Sequence, residues 1–357
     1  MIVKLIINIL VFATVMSVIV IVHELGHLLA AKSFGVYCKE FAVGMGPKIY
    51  SYQSKKSETA YSLRVLPIGG FVAMAGEPGE AEVENIPYER TINGIKPWKR
   101  LIVMLAGVFM NLVLAFLVFF MIFQIKGIVN EPAPIIHAVV EGYPAEKAGF
   151  QAGDLIQKMT FEDGTVITPE KFSDASIGIV SFEGQEISIE VLRDNEKVEL
   201  KVRPIKDANS GTYVLGIQSG PGTLEHRNIP KTMAYTIAFI GNMILQIFTI
   251  LKWLVRGVGL NNVGGPIAIF QATSQVSASG FDFIYFWNLI GSLSISLAVM
   301  NLLPIPALDG GRALITLVEM IIGKPIPEKF ENFIMILSFV FLMLLMVFFV
   351  FNDLKRL

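Results

Sequence analysis

An H-E-x-x-H motif at residues 23–27 lies near the end of a long apolar run that begins at the N-terminus. His23 and His27 are four residues apart, so on a helix both imidazoles leave the same face and can bind one Zn²⁺. Glu24 follows His23 directly, where its carboxylate can take a proton from water beside the metal. This chemistry is typical of a metalloprotease, and the apolar residues on both sides of the motif place it inside a bilayer.

A purely structural use of the two histidines is the alternative. The chain has only 4 histidines, which makes a chance occurrence of the motif rare. Polar side chains in an apolar segment also carry a desolvation penalty of several kcal/mol unless they bind or pair with something. The motif therefore indicates a functional zinc site.

The composition indicates a membrane protein that also carries a soluble part. Of 357 residues, 53% are hydrophobic and 17% are charged, and the formal net charge is −1. These values exclude a disordered chain and a nucleic-acid-binding protein. The lipid bilayer is the expected surrounding, and nucleic acid is not an expected partner.

Four apolar segments are predicted to cross the membrane, which gives a polytopic α-helical fold. A spanning helix needs about 20 mostly apolar residues to cross a hydrocarbon core of about 30 Å. The predicted spans are residues 1–31, 101–125, 284–312 and 333–351. The third contains Pro304, Pro306 and a Leu-Asp-Gly motif at 308–310, so its helix is expected to break there.

A further apolar helix is predicted at residues 231–256, within a linker of residues 206–283. Its polar residues recur at helical spacing and form one stripe, which favours a helix lying at the membrane interface over a fifth span. These residues are Asn242, Gln246, Thr249, Lys252 and Arg256. A fifth span would put the Leu-Asp-Gly motif on the opposite side of the membrane from the histidines.

Residues 32–100 are rich in lysine and arginine, whereas Lys4 stands alone before the first span. This bias places residues 32–100 in the cytoplasm and the N-terminus outside. Short β-like runs occur within the region, and Gly69, Gly70 and Phe71 belong to one of them. Two interpretations stay open: an ordinary hairpin, or a strand edge that holds an extended substrate as an added strand.

Residues 130–205 alternate apolar and polar side chains between turns, which predicts a soluble α+β domain of PDZ size. Residues 144–156 resemble the short helix, turn and strand of a bacterial PDZ module. The predicted topology puts this domain outside the cytoplasm. Peptide or protein tails are its expected ligands, bound by strand addition.

Asp309 is the candidate for the third zinc ligand, since a catalytic zinc takes three protein ligands and leaves one position open. With four spans, the first and third end on the same side of the membrane, which brings Asp309 to the depth of the histidines. Glu319 is the nearest competitor, and a helix cap is the alternative role for Asp309. Asn111, in the second span, either bridges two helices or holds substrate backbone.

Taken together, the motifs resemble those of the bacterial site-2 protease family, in its branch with a single PDZ-like domain. They are H-E-x-x-H at 23–27, Gly-Met-Gly-Pro at 44–47, Pro-Ile-Gly-Gly-Phe-Val-Ala-Met at 67–74 and Asn-Leu-Leu-Pro-Ile-Pro-Ala-Leu-Asp-Gly at 301–310. Met45 and Val108 depart from the residues common in the family.

The resemblance implies that His23, His27 and Asp309 bind zinc, that Glu24 is the general base and that Asn301 lies near the substrate. It also implies a membrane-reentrant β region at residues 41–75. The implied substrates are single-span membrane proteins such as anti-sigma factors and signal-peptide remnants. The implied location is the cytoplasmic membrane of a bacterium, with the active site toward the cytoplasm.

Two other classes of protein are considered. A metal-ion transporter with several spans is expected to have an inverted repeat, or polar residues distributed through the whole thickness of the membrane. Neither feature is visible in the sequence. A catalytically silent scaffold that presents a PDZ-like domain does not need a base, which the intact Glu24 supplies.

Overall fold

The computed structural model describes residues 2–55, 57–77, 86–130, 132–207, 212–226, 228–260, 263–277 and 280–355. The predicted regions 32–100 and 206–283 therefore include residues that lie outside the described ones. The helices are α1 (Ile2–Ser33), α2 (Pro97–Lys126), α3 (Pro144–Lys147), α4 (Phe172–Ser181), α5 (Ile229–Val255), α6 (Pro266–Gln275), α7 (Phe283–Asn301), α8 (Asp309–Ile322) and α9 (Glu328–Leu354). The strands are β1 (Cys38–Tyr52), β2 (Ala60–Met74), β3 (Ile128–Asn130), β4 (Ile136–Val139), β5 (Leu155–Phe161), β6 (Val166–Ile167), β7 (Ile187–Arg193), β8 (Glu196–Val202), β9 (Ile205–Lys206), β10 (Tyr213–Val214), β11 (Ile217–Ser219) and β12 (Thr223–Glu225).

The chain divides into two compact units. The first consists of Met1–Ile122, Met233–Ile247 and Gly264–Leu357, and the second of Phe123–Thr232 and Phe248–Val263. Five helices are long and apolar enough to cross a membrane: Val3–Ser33, Pro97–Lys126, Ile229–Val255, Phe283–Asn301 and Lys329–Leu354. Four of these helices overlap the predicted spans. The remaining one, Ile229–Val255, is the helix whose polar stripe led to the prediction of a position at the membrane interface.

Helices α1 and α7 of the first unit run in the same direction. Near their starts, Val11 of α1 and Phe286 of α7 belong to one buried cluster. Near their ends, Nε2 of His23 lies 3.3 Å from Nδ2 of Asn301. The helix α7 ends at Asn301, and after the two prolines the chain begins the separate helix α8 at Asp309.

Helix α2 crosses α1 in the opposite direction and at very short range. Val103 near the start of α2 contacts His27 near the end of α1, and Val118 further along α2 packs on the first half of α1. A Cβ on Gly26 would lie 2.3 Å from the carbonyl oxygen of Ala106, so only glycine fits at this crossing. His23 and His27 of the motif therefore lie close against α2.

The β-rich region between α1 and α2 is formed by β1 and β2. The first half of β1 pairs on both sides, since Val43 is opposite Leu63 on one side and opposite Gly70 on the other. The register orders four short segments as 70–74, 38–43, 60–64 and 48–52. Among the described residues, segment 70–74 therefore has one edge without a strand partner.

The second unit contains a four-stranded antiparallel sheet in the order β6-β5-β7-β8. Helix α4 packs on this sheet, and Phe161 stacks on Phe182 at a ring-centroid distance of 3.8 Å. Strand β11 pairs with β4, so this unit extends beyond the predicted boundary at residue 205.

The structure differs from the sequence analysis in the linker 206–283, which contains β10, β11, β12 and α6, and at α8, which continues beyond the end of the predicted third span at residue 312. The three strands are two or three residues long, too short for an alternating pattern to be recognised.

Candidate metal centre

Three potential ligand atoms converge at the ends of α1 and α7. The Nε2 atoms of His23 and His27 are 3.3 Å apart. Oδ2 of Asp309, the first residue of α8, lies 3.1 Å from the first and 3.3 Å from the second. Both histidines are buried, and the two prolines before α8 turn the chain so that Asp309 reaches them.

The arrangement fits a zinc ion. Tetrahedral Zn²⁺ with bonds of about 2.0–2.1 Å needs ligand atoms about 3.4 Å apart, close to the separations of 3.1–3.3 Å among these three atoms. Oδ2 of Asp309 is buried and has no hydrogen-bond partner among the described residues apart from the imidazoles that it faces. Two imidazoles and one carboxylate are a donor set that leaves a fourth position for water or substrate.

A backbone carbonyl orients one of the histidines. Nδ1 of His27 lies 2.8 Å from the carbonyl oxygen of Val103. A carbonyl oxygen can only accept a hydrogen bond, so Nδ1 carries the proton and donates. The lone pair of the neutral imidazole is then on Nε2, which faces Asp309.

Two asparagines contact the other histidine from different helices. Nδ2 of Asn111, on α2, lies 3.2 Å from Nδ1 of His23, so Asn111 bridges two helices. Nδ2 of Asn301, at the end of α7, lies 3.3 Å from Nε2 of His23. Asn111 is fully buried, whereas Asn301 is partly exposed beside the ligand atoms.

Glu24 lies at a cavity of about 180 Å³ beside the ligand triangle. Segment 70–74 forms part of its wall, and a Cβ on Gly70 would lie 3.5 Å from Cγ of Glu24. The other lining residues are His23, His27, Phe71, Val72, Met74, Glu77, Met104, Ala307, Asp309 and Arg312. A strand edge and a carboxylate therefore share one cavity with the ligand atoms.

Glycine at position 107 makes this packing sterically feasible. A Cβ there would lie 2.4 Å from Nε2 of His27 and 2.6 Å from Cε1 of His23. The backbone of α2 thus passes directly behind both imidazoles. Neither Gly107 nor the Val103 carbonyl was singled out from the sequence, because each acts only through the way α2 packs on α1.

Two ion pairs hold α8 in place. Glu319, the competitor for the third ligand, pairs with Arg100 at the start of α2 and accepts a hydrogen bond from the Ile326 N–H at 2.8 Å. Arg312 pairs with Glu77 of the segment after β2, at the cavity wall. Since Arg312 lies one turn after Asp309, this second pair, which the sequence did not signal, holds the ligand-bearing turn near the hairpin.

Comparison with known proteins identifies relatives along nearly the whole chain. Residues 11–345 match the model of Peptidase family M50. A putative zinc metalloprotease of Clostridium perfringens (strain 13 / Type A) is 36% identical over 339 residues, which cover 94% of this chain and 95% of that protein. The regulator of sigma-W protease RasP of Bacillus subtilis (strain 168) is 30% identical over 429 residues, covering 98% and 99% of the two chains. This chain therefore belongs to peptidase family M50, the site-2 proteases that its motifs resemble, and it is a zinc metalloprotease.

Proposed function

We propose that this protein is an intramembrane endopeptidase that hydrolyses peptide bonds in or near the transmembrane segments of single-span membrane proteins. The observation that carries the proposal is the ligand triangle of His23, His27 and Asp309, with sides of 3.1–3.3 Å. The two histidines are on a helix long and apolar enough to cross a bilayer. These three side chains hold the zinc ion.

Zinc at this position supplies a Lewis acid that polarises a carbonyl group and makes water more acidic. Glu24, at the same cavity, accepts a proton from the attacking water and passes it to the leaving amine. The Asn301 amide, 3.3 Å from Nε2 of His23, lies close enough to the ligands to contact the peptide carbonyl.

A substrate has to be extended where it is cut, because a closed helix hides its backbone hydrogen-bonding groups. Segment 70–74 has an edge without a strand partner among the described residues, beside the cavity, and addition of a substrate strand there provides backbone hydrogen bonds. Gly69, at φ +80°, turns the chain into this segment. Gly70 brings the backbone close to Glu24, and Phe71 lines the cavity where a substrate side chain would lie.

The β region of residues 41–75 enters the membrane in this proposal. Large apolar and aromatic side chains of β1 and β2 are exposed, among them Met45, Ile49, Tyr50, Tyr52, Leu63, Val65 and Leu66. An exposed apolar surface of this kind is typical of contact with lipid or protein.

The proposal has four spans, α1, α2, α7 and α9. Because α1 and α7 run the same way and α2 runs oppositely, α2 ends and α7 begins at the same side of the membrane. A single crossing by α5 would need a second crossing before α7, and α6, with 10 residues and a length of about 15 Å, is too short for it. Placement of α5 at an interface agrees with its polar stripe, whose residues are exposed.

The last helix supports the same topology. Asp353 near its end accepts hydrogen bonds from Gly265 N at 2.9 Å and Ala268 N at 3.2 Å, at the start of α6. Phe270 of α6 packs edge-on against Phe12 of α1. The end of α9 therefore lies on the same side as the N-terminus of α1. This is the arrangement expected if α9 is the fourth span and crosses back from the side of the metal site.

The cation-rich region 32–100 supports a topology with the metal site toward the cytoplasm of a bacterial cell and the second unit outside. That unit acts as a PDZ-like domain that binds peptide or protein tails, because β11 pairs with β4 and has no partner strand on its other edge among the described residues. Since the Bacillus subtilis relative is named as a regulator of sigma-W, the proposed substrates are anti-sigma factors, with signal-peptide remnants as a second group.

Replacement of Glu24 by Gln tests the proposal in cells. Membrane-retained small fragments are compared between cells with the wild-type protein and cells with Glu24→Gln. The variant is expected to bind zinc at the wild-type level and to accumulate uncut single-span fragments. Glu141→Gln, an exposed change in the second unit, is the matched control and should cleave normally. Continued cleavage by Glu24→Gln would remove the assigned base.

A further inference from the structure

The amide of Asn111 lies buried behind His23 and is not part of the cavity wall. Its side chain is 0% exposed. Nδ2 lies 3.2 Å from Nδ1 of His23, while Oδ1 is buried without a hydrogen-bond partner among the described residues. An unpaired buried acceptor is unfavourable, so the orientation of this amide calls for a physical explanation.

If His23 binds zinc through Nε2, the protonation of its Nδ1 determines which atom of the Asn111 amide can pair with it. A neutral imidazole carries one N–H and one lone pair, so the lone pair on Nε2 leaves the proton on Nδ1 as a donor. An amide nitrogen opposite Nδ1 is a second donor and cannot pair with it. A half-turn of the amide exchanges Nδ2 and Oδ1, which puts an acceptor opposite the Nδ1–H donor of His23.

We infer that Asn111 is the positioning residue of His23, with its Oδ1 accepting the Nδ1–H bond of the metal-binding imidazole. It does for His23 what the Val103 carbonyl, 2.8 Å from Nδ1, does for His27. Each partner fixes one tautomer and one ring orientation, so that both Nε2 atoms face the zinc position. A buried amide outside the cavity lining has no surface with which to hold a substrate. The inference rests on the ligand set proposed above.

Three variants of the full-length, detergent-solubilised protein test the inference through zinc affinity, measured by competition with a chelator. Asn111→Leu keeps the approximate size but removes the acceptor, and it is expected to weaken zinc binding by about 10–100-fold. Asn111→Asp keeps an acceptor opposite Nδ1 and is expected to bind zinc within about threefold of the wild type. Ser294→Ala removes the 2.9 Å hydrogen bond from Ser294 Oγ to the backbone carbonyl oxygen of Asn111, so it reports helix packing alone, and it should bind zinc normally.

Wild-type zinc affinity in Asn111→Leu would overturn the inference, and so would equal weakening in Asn111→Asp and Asn111→Leu. If Asn111→Leu does not fold, Asn111→Asp decides alone: retained affinity supports the role, and a loss of about tenfold or more refutes it. Absence of zinc from both the wild type and Glu24→Gln would instead refute the proposed metal site itself.

Discussion

Asp154 in the second unit and Asp309 in the first are both largely shielded from solvent, but their carboxylates have opposite surroundings. Asp154 in the second unit is 0% exposed and accepts hydrogen bonds from Arg193 Nε at 2.7 Å, Arg193 Nη2 at 2.8 Å and Gln151 N at 2.9 Å. Asp309 in the first unit has a side chain only 19% exposed, and among the described residues its Oδ2 faces two imidazoles but no guanidinium or backbone N–H.

The difference separates a structural carboxylate from a functional one. A buried charge is costly unless it is paired and hydrogen-bonded. The charge of Asp154 is balanced by its own chain, whereas the charge of Asp309 is balanced when a cation is bound. Burial alone therefore does not identify a site, but burial with an unfilled set of partners does.

The largest expected effect comes from Asp309→Asn. Since partners beyond the ligands already change metal affinity by about 10–100-fold, loss of a ligand should weaken zinc binding by more than about 100-fold. Cleavage should fall to the level of Glu24→Gln, while the stability of the zinc-free protein should not fall. Zinc content measured on purified protein checks this, and one zinc per chain in the variant would contradict the ligand set.

The opposite result is expected for Asp154→Asn. Removing the charge leaves the Arg193 guanidinium without its buried partner, and the free energy of unfolding of the second unit should fall by about 3 kcal/mol. Pulse proteolysis of the full-length protein measures this fall, and zinc affinity should not change. Glu190→Gln, in an exposed pair with Lys197 at 2.7 Å, is the control and should change stability far less than Asp154→Asn does, because an exposed ion pair is screened by solvent. Equal effects of the two substitutions would contradict the comparison.

A smaller effect on zinc affinity is expected from Gly107→Ala, because the added Cβ would lie 2.4 Å from Nε2 of His27. The imidazoles must shift, and zinc affinity should fall by about tenfold. Gly241→Ala, on α5, places its Cβ in open space and serves as the helical glycine control. It should retain zinc and gain up to about 1 kcal/mol of stability. Unchanged zinc affinity in Gly107→Ala would show that the helices separate without disturbing the ligands.

The smallest effect is a dependence on acid. Burial acts to raise the pKa of Asp154, but hydrogen bonds from Arg193 and from the Gln151 N–H outweigh it and hold the pKa below its usual value. A lowered folded-state pKa stabilises the protein above the unfolded value of about 3.9, and this contribution is lost as the pH falls through the folded value. The stability difference between the wild type and Asp154→Asn should be constant above about pH 5 and shrink below about pH 4. A difference that persists undiminished in strong acid would contradict this origin.

Local features of the fold were predictable, and long-range contacts were less so. His23, Glu24 and His27 share one helix, so their spacing alone places them together. The meeting of Asp309 with the histidines follows from helix directions, which hydropathy and the count of spans indicate. The contacts of Gly107 and Val103 with the histidines depend on the rotation of α2 about its axis, which the largely apolar sequence of α2 does not encode in a readable pattern.

Residue order by itself determined the chemical groups of the centre and the apolar length of the helix that carries the two histidines, because helical spacing and apolar length are local properties of a chain. Tertiary structure alone decided which nitrogen of each imidazole faces a backbone carbonyl or an amide, and which of two acidic residues of α8 is neutralised by Arg100. The reason is geometric: a hydrogen bond is lost over a displacement of about 1 Å, whereas hydropathy averages over whole turns of helix.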